Sequence, residues 1–267
     1  MPDVAVAVIH GMGSQEPDFA EPLIEELSRR VQNRGKNPAQ IAWQPIYWAD
    51  LLSGAELAYF RRAKNRADLD YLRLRRFVVT AFGDAAAYQQ VTSVHNTTYQ
   101  DVHGRVREAI HRLYVDGLGS RPKPLIVLAH SMGGHILSNY VWDAQRQQGT
   151  AAPPFERMSW LSGIVTFGCN IPLFTFAYSQ VEPIHFPPSG LRADLKEKAR
   201  WLNFYDPDDI LGYPLKPISE SYAQVVSRDI AINAGGLFSS WNPLSHNGYW
   251  TDNDFTKPVA GFISSFL

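Results

Sequence analysis

The stretch Leu125-Ile126-Val127-Leu128-Ala129-His130-Ser131-Met132-Gly133-Gly134 constrains this chain more than any other. Leu125 to Ala129 is a continuous apolar run entered through Pro122 and Pro124, the pattern of a parallel strand buried on both faces. Residues 132 to 148 then read as a helix with Gly149 at its end. Little chain is left for the reversal, so the backbone at Ser131 must turn sharply and its neighbours must be small where strand and helix nearly touch. Ala129 and Gly133, two before and two after the serine, meet that demand. The turn also aims free N–H groups at the helix head, where negative charge is favoured. The plainer alternative is an ordinary N-cap serine. The buried strand and small neighbours favour a nucleophile instead.

The rest of the chain fits an alternation of strands and helices. Val4 to Ile9 reads as a buried strand ending at His10-Gly11. Asp18 with Glu21 resembles a capping box, Pro22 sits in a first turn, and Leu23, Ile24, Leu27 and Val31 form one apolar stripe before Gly35. Ile41 to Trp48 reads as a second strand, and residues 51 to 118 as mostly helical. Within them, Val102, Val106, Ile110 and Leu113 predict an amphipathic helix over 97–115. Trp160 to Phe167, Trp201 to Tyr205 and part of Tyr222 to Ile232 read as strands, and Pro258 to Phe266 as a terminal helix. The Pro-rich segment 183–190 reads as a surface loop and a candidate cover for a binding cleft. This pattern predicts one α/β domain over 1–267, with an open, mostly parallel sheet covered on both sides.

Composition narrows the function classes. A formal net charge of −1 gives no charge-based attraction to nucleic acid or anionic membranes. The single cysteine, Cys169, rules out an internal disulfide. No leader and no run of roughly 20 apolar residues is visible, so a cytoplasmic protein is expected.

The segment around Ser131 resembles the nucleophile elbow of α/β hydrolases, with Ala129 where glycine is usual. Val8-Ile9-His10-Gly11-Met12-Gly13 resembles the His-Gly-Met oxyanion loop of bacterial lipases, and Ile41 to Trp48 the second recognisable strand of DDHD-type phospholipases. The similarity is best over 4–13, 39–48, 124–134, 160–174 and 201–250. It implies an α/β-hydrolase fold that begins at the strand bearing the oxyanion loop, lacks the usual leading strands, and carries a helical insertion at about 51–118 before the nucleophile strand. It also implies site residues. The N–H groups of Met12 and Met132 would form the oxyanion hole, with His10 bracing the loop. The superfamily order of nucleophile, acid and histidine points to Asp209 in the run Asp206-Pro207-Asp208-Asp209, with Asp208 and Asp206 as reserves. It points to His246 as base, ahead of His95, His103, His111, His130, His135 and His185; His130 is expected to point elsewhere on the elbow.

The implied function is a serine esterase, lipase-like, acting on a small acyl ester through a Ser131–His246–Asp209 triad with no metal or organic cofactor. Thioesterase, amidase and acyltransferase chemistry shares the machinery. A non-catalytic binding protein on a hydrolase scaffold is the alternative from another class. Arg61, Arg62, Lys64, Arg66, Arg73, Arg75 and Arg76 form a basic run, either a solvated helix face or a weak contact for anionic lipid.

Overall fold

The computed structural model describes residues 1–12, 15–51, 58–59, 62–63, 83–88, 97–146, 152–176, 178–234 and 245–267. Six strands form one sheet: β1 (Val4–Ile9), β2 (Ile41–Ile46), β3 (Leu125–His130), β4 (Leu161–Phe167), β5 (Arg200–Tyr205) and β6 (Arg228–Ala231). Their order is β2-β1-β3-β4-β5-β6 and every pairing is parallel. All residues of β1, β3 and β4 are buried, which explains the unbroken apolar runs of β1 and of β3 up to Ala129. Pro45, which has no N–H to give a ladder, falls on the edge strand β2.

Helices cover both faces. They are α1 (Glu21–Asn33), α2 (Thr98–Arg112), α3 (Met132–Arg146), α4 (Ala193–Lys198), α5 (Glu220–Val225) and α6 (Asn253–Ser264). From β1 the chain crosses to β2 in one direction, and from β3 to β4 in the other. Right-handed crossovers therefore place α1 and α3 on opposite faces. α6 packs with α1, and α2 with α3. The result is a doubly wound, all-parallel α/β sheet covered by helices on both faces, the fold class expected from the sequence. The reversal of winding falls between β1 and β3, and the carboxyl ends at such a switch point are the usual ligand position in open α/β sheets. His10-Gly11 leaves β1 there, and Ser131 leaves β3.

Several local expectations change. No side chain caps α1: its N-cap is Ala20, and Asp18 contributes only its carbonyl, to Glu21 N–H at 2.9 Å. α1 ends as expected near Gly35, whose φ of +75° suits a residue without a Cβ. α6 starts before Pro258, which lies inside it; Asp252 is the N-cap and its carboxylate accepts the Asp254 N–H at 2.7 Å. The Pro-rich loop does not lie over the carboxyl ends of β1 and β3. Gln145 clamps the main chain of His185 at 2.7 and 3.0 Å, near the far end of α3 and roughly 20 Å along that helix from Ser131.

The described parts of the expected insertion are helical at 58–59, 62–63, 83–87 and α2, and a π-helical turn follows at Leu113–Gly117. Val102, Val106, Ile110 and Leu113 form its buried stripe. Of the basic run only Arg62 is among the described residues, and it is exposed. Gly149, at the expected end of α3, lies outside them.

Candidate active site

Ser131 joins strand to helix in a single residue. Its N–H donates to the Phe167 carbonyl of β4 at 2.9 Å, continuing the sheet ladder, while its own carbonyl accepts the Gly134 N–H at 3.0 Å, opening α3. Serving both elements forces a left-handed backbone, with φ at +52°. The glycines that follow let α3 approach. A Cβ on Gly133 would stand 2.6 Å from the His10 carbonyl oxygen, and one on Gly134 2.6 Å from Cys169 Sγ. Burial pushes that thiol up to about 12, which keeps it protonated.

The loop after β1 lies against Ser131. Gly11 packs on Ser131 without room for a side chain, Met12 is half-buried, and Met132 is fully buried. Trp48, just beyond β2, fixes this loop. Its N–H donates to His10 Nε2 at 3.0 Å, and its indole N–H donates to the His10 carbonyl at 3.1 Å. The rings stack at 4.9 Å between centroids. Because Nε2 accepts, Nδ1 carries the His10 proton and donates to the Gly11 carbonyl at 2.7 Å. Burial pushes His10 down to about 4, against a small opposing effect of the Gly11 carbonyl, so it is neutral near pH 7.

Beyond β5 and in the Ser245–Thr251 turn, two more side chains complete a line. His246 Nε2 lies 2.7 Å from Ser131 Oγ, and His246 Nδ1 lies 2.8 Å from Asp209 Oδ2. Asp209 Oδ1 accepts the Leu211 N–H at 3.0 Å, and Tyr249 donates its hydroxyl proton to Oδ2 at 2.9 Å. Burial by itself would raise the Asp209 carboxyl. The hydrogen bond and charge of His246, with the Leu211 N–H and Tyr249, outweigh burial and hold it below the ordinary value. All three members of the line are buried.

The two reserve aspartates do other things. Asp206 accepts the Asp208 N–H at 2.8 Å and the Ala234 N–H at 2.7 Å, tying the end of β5 to the chain beyond β6. Asp208 is exposed. Asp229 of β6 secures the loop after Asp209, accepting the Leu215 and Lys216 N–H groups, each at 2.9 Å, and Asn203 Nδ2 at 2.7 Å. The three aspartates thus diverge, and no group of three or more His, Cys, Asp or Glu among the described residues could hold a metal.

His130 does not point away. Its Nε2–H donates to the His246 carbonyl at 2.8 Å, and its ring lies 4.8 Å from that of His246. Burial, followed by the nearby His246, pushes it down to about 3. It is a neutral brace for the histidine turn. His103 contacts Tyr88 at 2.8 Å, His111 contacts Glu156 at 2.7 Å, and His135 contacts Asn139 at 3.2 Å, all away from the line. His185 is exposed on the Pro-rich loop, and His95 lies outside the described residues.

Trp48, His130, Asp229 and Tyr249 are the supporting residues that sequence reasoning missed. His130, next to Ser131, and Tyr249, three positions after His246, had a local signal; Trp48 and Asp229 did not.

No family model matches the sequence, and no curated protein does. Among solved structures, a protein named for the α/β hydrolase superfamily from Xanthomonas campestris is 11% identical, with 96% of this chain and 98% of that chain covered and a TM-score of 0.39. A YdeN-like hydrolase from Pectobacterium atrosepticum is 15% identical, covers 99% and 93%, and has a TM-score of 0.40. An esterase domain from a Rhodothermus marinus protein is 10% identical, covers 99% and 87%, and has a TM-score of 0.33. At these TM-scores the likeness carries no argument about function; the fold stands on its own strand order and elbow.

Proposed function

We propose that this chain is a serine hydrolase that cleaves carboxylic esters, lipid-like ones among them, through an acyl-enzyme on Ser131. The observation that carries this reading is the unbroken line Asp209–His246–Ser131, at 2.8 and 2.7 Å, on a serine held at φ +52°. In this reading His246 Nε2 takes the Ser131 proton as Oγ attacks the ester carbonyl. The Met12 and Met132 N–H groups receive the oxyanion. His246 then gives its proton to the leaving alcohol, and Asp209 orients the ring and stabilises the imidazolium. Water enters by the same route in reverse, leaving the acid and free Ser131. No step calls for a metal or cofactor.

The test is a fluorophosphonate probe together with a panel of esters varied in acyl length and head group, with a thioester and an anilide alongside. Wild type should label and turn over, and Ser131→Ala should do neither. Labelling retained in Ser131→Ala would overturn the assignment, and a thioester or anilide preferred over every ester would overturn the substrate class. The basic run, with Arg62 exposed, is proposed as a weak contact for anionic lipid. Equal low-salt vesicle binding by wild type and a charge-reversed variant would refute it.

A further inference from the structure

Tyr249 is wholly buried on the turn that carries His246. Its hydroxyl sits between two groups of opposite kind. The Asp206 N–H donates to it at 2.8 Å, and an amide N–H can only donate. The hydroxyl proton is therefore directed at Asp209 Oδ2, 2.9 Å away, the same oxygen that lies 2.8 Å from His246 Nδ1. Two glycines keep space for this arrangement. A Cβ on Gly212 would stand 2.5 Å from Asp209 Oδ2 and 2.9 Å from the Tyr249 hydroxyl, and one on Gly168 2.9 Å from the Tyr249 ring. Burial and the Asp209 charge hold the Tyr249 proton in place, so it stays a donor.

We propose that Tyr249 is a positioning residue that locks the Asp209 carboxylate and tempers its hold on His246. The proposal rests on the reading of Asp209 and His246 as acid and base given above. With Oδ1 tied to the Leu211 N–H and Oδ2 to Tyr249, the carboxylate cannot rotate away from the imidazole. A donor on Oδ2 also takes a share of its charge, leaving less to stabilise the imidazolium. Tyr249 thus holds the acid in place and sets how strongly it acts. Against His246, among the described residues, stand Asp209 from the loop after β5, His130 from β3 and the Ser131 hydroxyl, and Tyr249 reaches it through Asp209 Oδ2.

Three variants of the full chain test this: Tyr249→Phe, Asp209→Asn and the double substitution. Tyr249→Phe should lower kcat about 10-fold, the scale of one hydrogen bond to a charged group, with KM little changed. Its acid limb in kcat/KM should move to higher pH by about half a unit, because the freed oxygen favours the imidazolium. The low-field Nδ1–H proton resonance of His246 should move downfield for the same reason. In the Asp209→Asn background the tyrosine change should cost less than ~2-fold, since Tyr249 acts through Asp209.

Should Tyr249→Phe fail to fold, Tyr249→3-fluorotyrosine keeps the shape with a stronger donor and should move the limb to lower pH. An unmoved limb and resonance with only a lower Tm, or full additivity with Asp209→Asn, would make Tyr249 a packing residue and overturn the proposal. Turnover unaffected by Asp209→Asn would instead overturn the underlying triad reading.

Discussion

A Cβ placed on Gly11 would stand 2.4 Å from Ser131 Cβ and 3.0 Å from its Oγ. No real Cβ tolerates such an approach, so the glycine lets the Gly11–Met12 peptide lie directly against the nucleophile. Gly11→Ala should therefore push the loop after β1 off Ser131. Turnover should fall by about 10²–10³-fold, as when an oxyanion donor is lost. Overpacking should lower stability by about 1–3 kcal/mol. Steady-state kinetics with a thermal melt check both, and a wild-type kcat in Gly11→Ala would detach the loop from the chemistry.

The positive φ of Ser131 separates activity from stability. Ser131→Ala should lose turnover by up to ~10⁶-fold, with residual catalysis from the oxyanion hole. It keeps the strain, because alanine also carries a Cβ. Ser131→Gly should be equally inactive yet more stable than Ser131→Ala, since the left-handed conformation costs a non-glycine residue about 1–2 kcal/mol. Comparing melting temperatures decides it; a Ser131→Gly protein that melts below Ser131→Ala would show that the turn stores no such strain.

What the sequence made legible follows from how local each signal is. β1 and β3 are buried on both faces, so their apolar runs can be read without knowing their neighbours. The Ser131 turn is likewise local, because Gly133 and Gly134 must clear β1 and Cys169. Chain order narrowed the acid to the Asp206–Asp209 run, but the choice within it depends on distant chain. Asp206 is taken by Ala234, which leaves Asp209 facing His246. Trp48 and Asp229 gave no sign because their partners lie far along the chain and meet only across the sheet. α6 begins ahead of Pro258, the expected start of the terminal helix, because Asp252 caps it and Pro258 lies inside it.

The aspartate run offers a comparison within one loop. Asp209→Asn keeps the shape but loses the charge that stabilises the imidazolium, and kcat should fall by about 10⁴. Asp208→Asn, exposed and without a role in the line, should be near neutral. Asp206→Asn should lower stability more than activity, because its carboxylate holds the Asp208 and Ala234 N–H groups. Kinetics and melts on the three variants test the order, and a crippling Asp208→Asn would move the acid by one position.

Acid should act on this protein in two separable ways. The general base must be neutral to accept the serine proton. kcat/KM should therefore fall as pH is lowered, and His246→Ala should remove the activity that shows it. Stability should fall for a different reason. Burial pushes His10 and His103 down to about 4 and His130 to about 3, so all three stay neutral in the fold. Their unfolded counterparts take up protons below pH ~6.5, so the unfolded state binds more protons than the native one there. Their contribution is full above pH ~6.5 and is lost as pH falls toward their folded values, at no more than roughly 1.4 kcal/mol per unit per histidine. The Asp209 carboxyl, held below its ordinary value, adds its own loss only under about pH 4. His103 lies away from the Ser131 line, so His103→Gln should flatten the fall in Tm while leaving the acid limb of activity in place. Melts across the acid range, beside rates taken where the fold is intact, resolve the two effects. A Tm that rises on acidification from neutrality would contradict the buried neutral histidines, and full wild-type activity at pH ~4 would exclude His246 as the base.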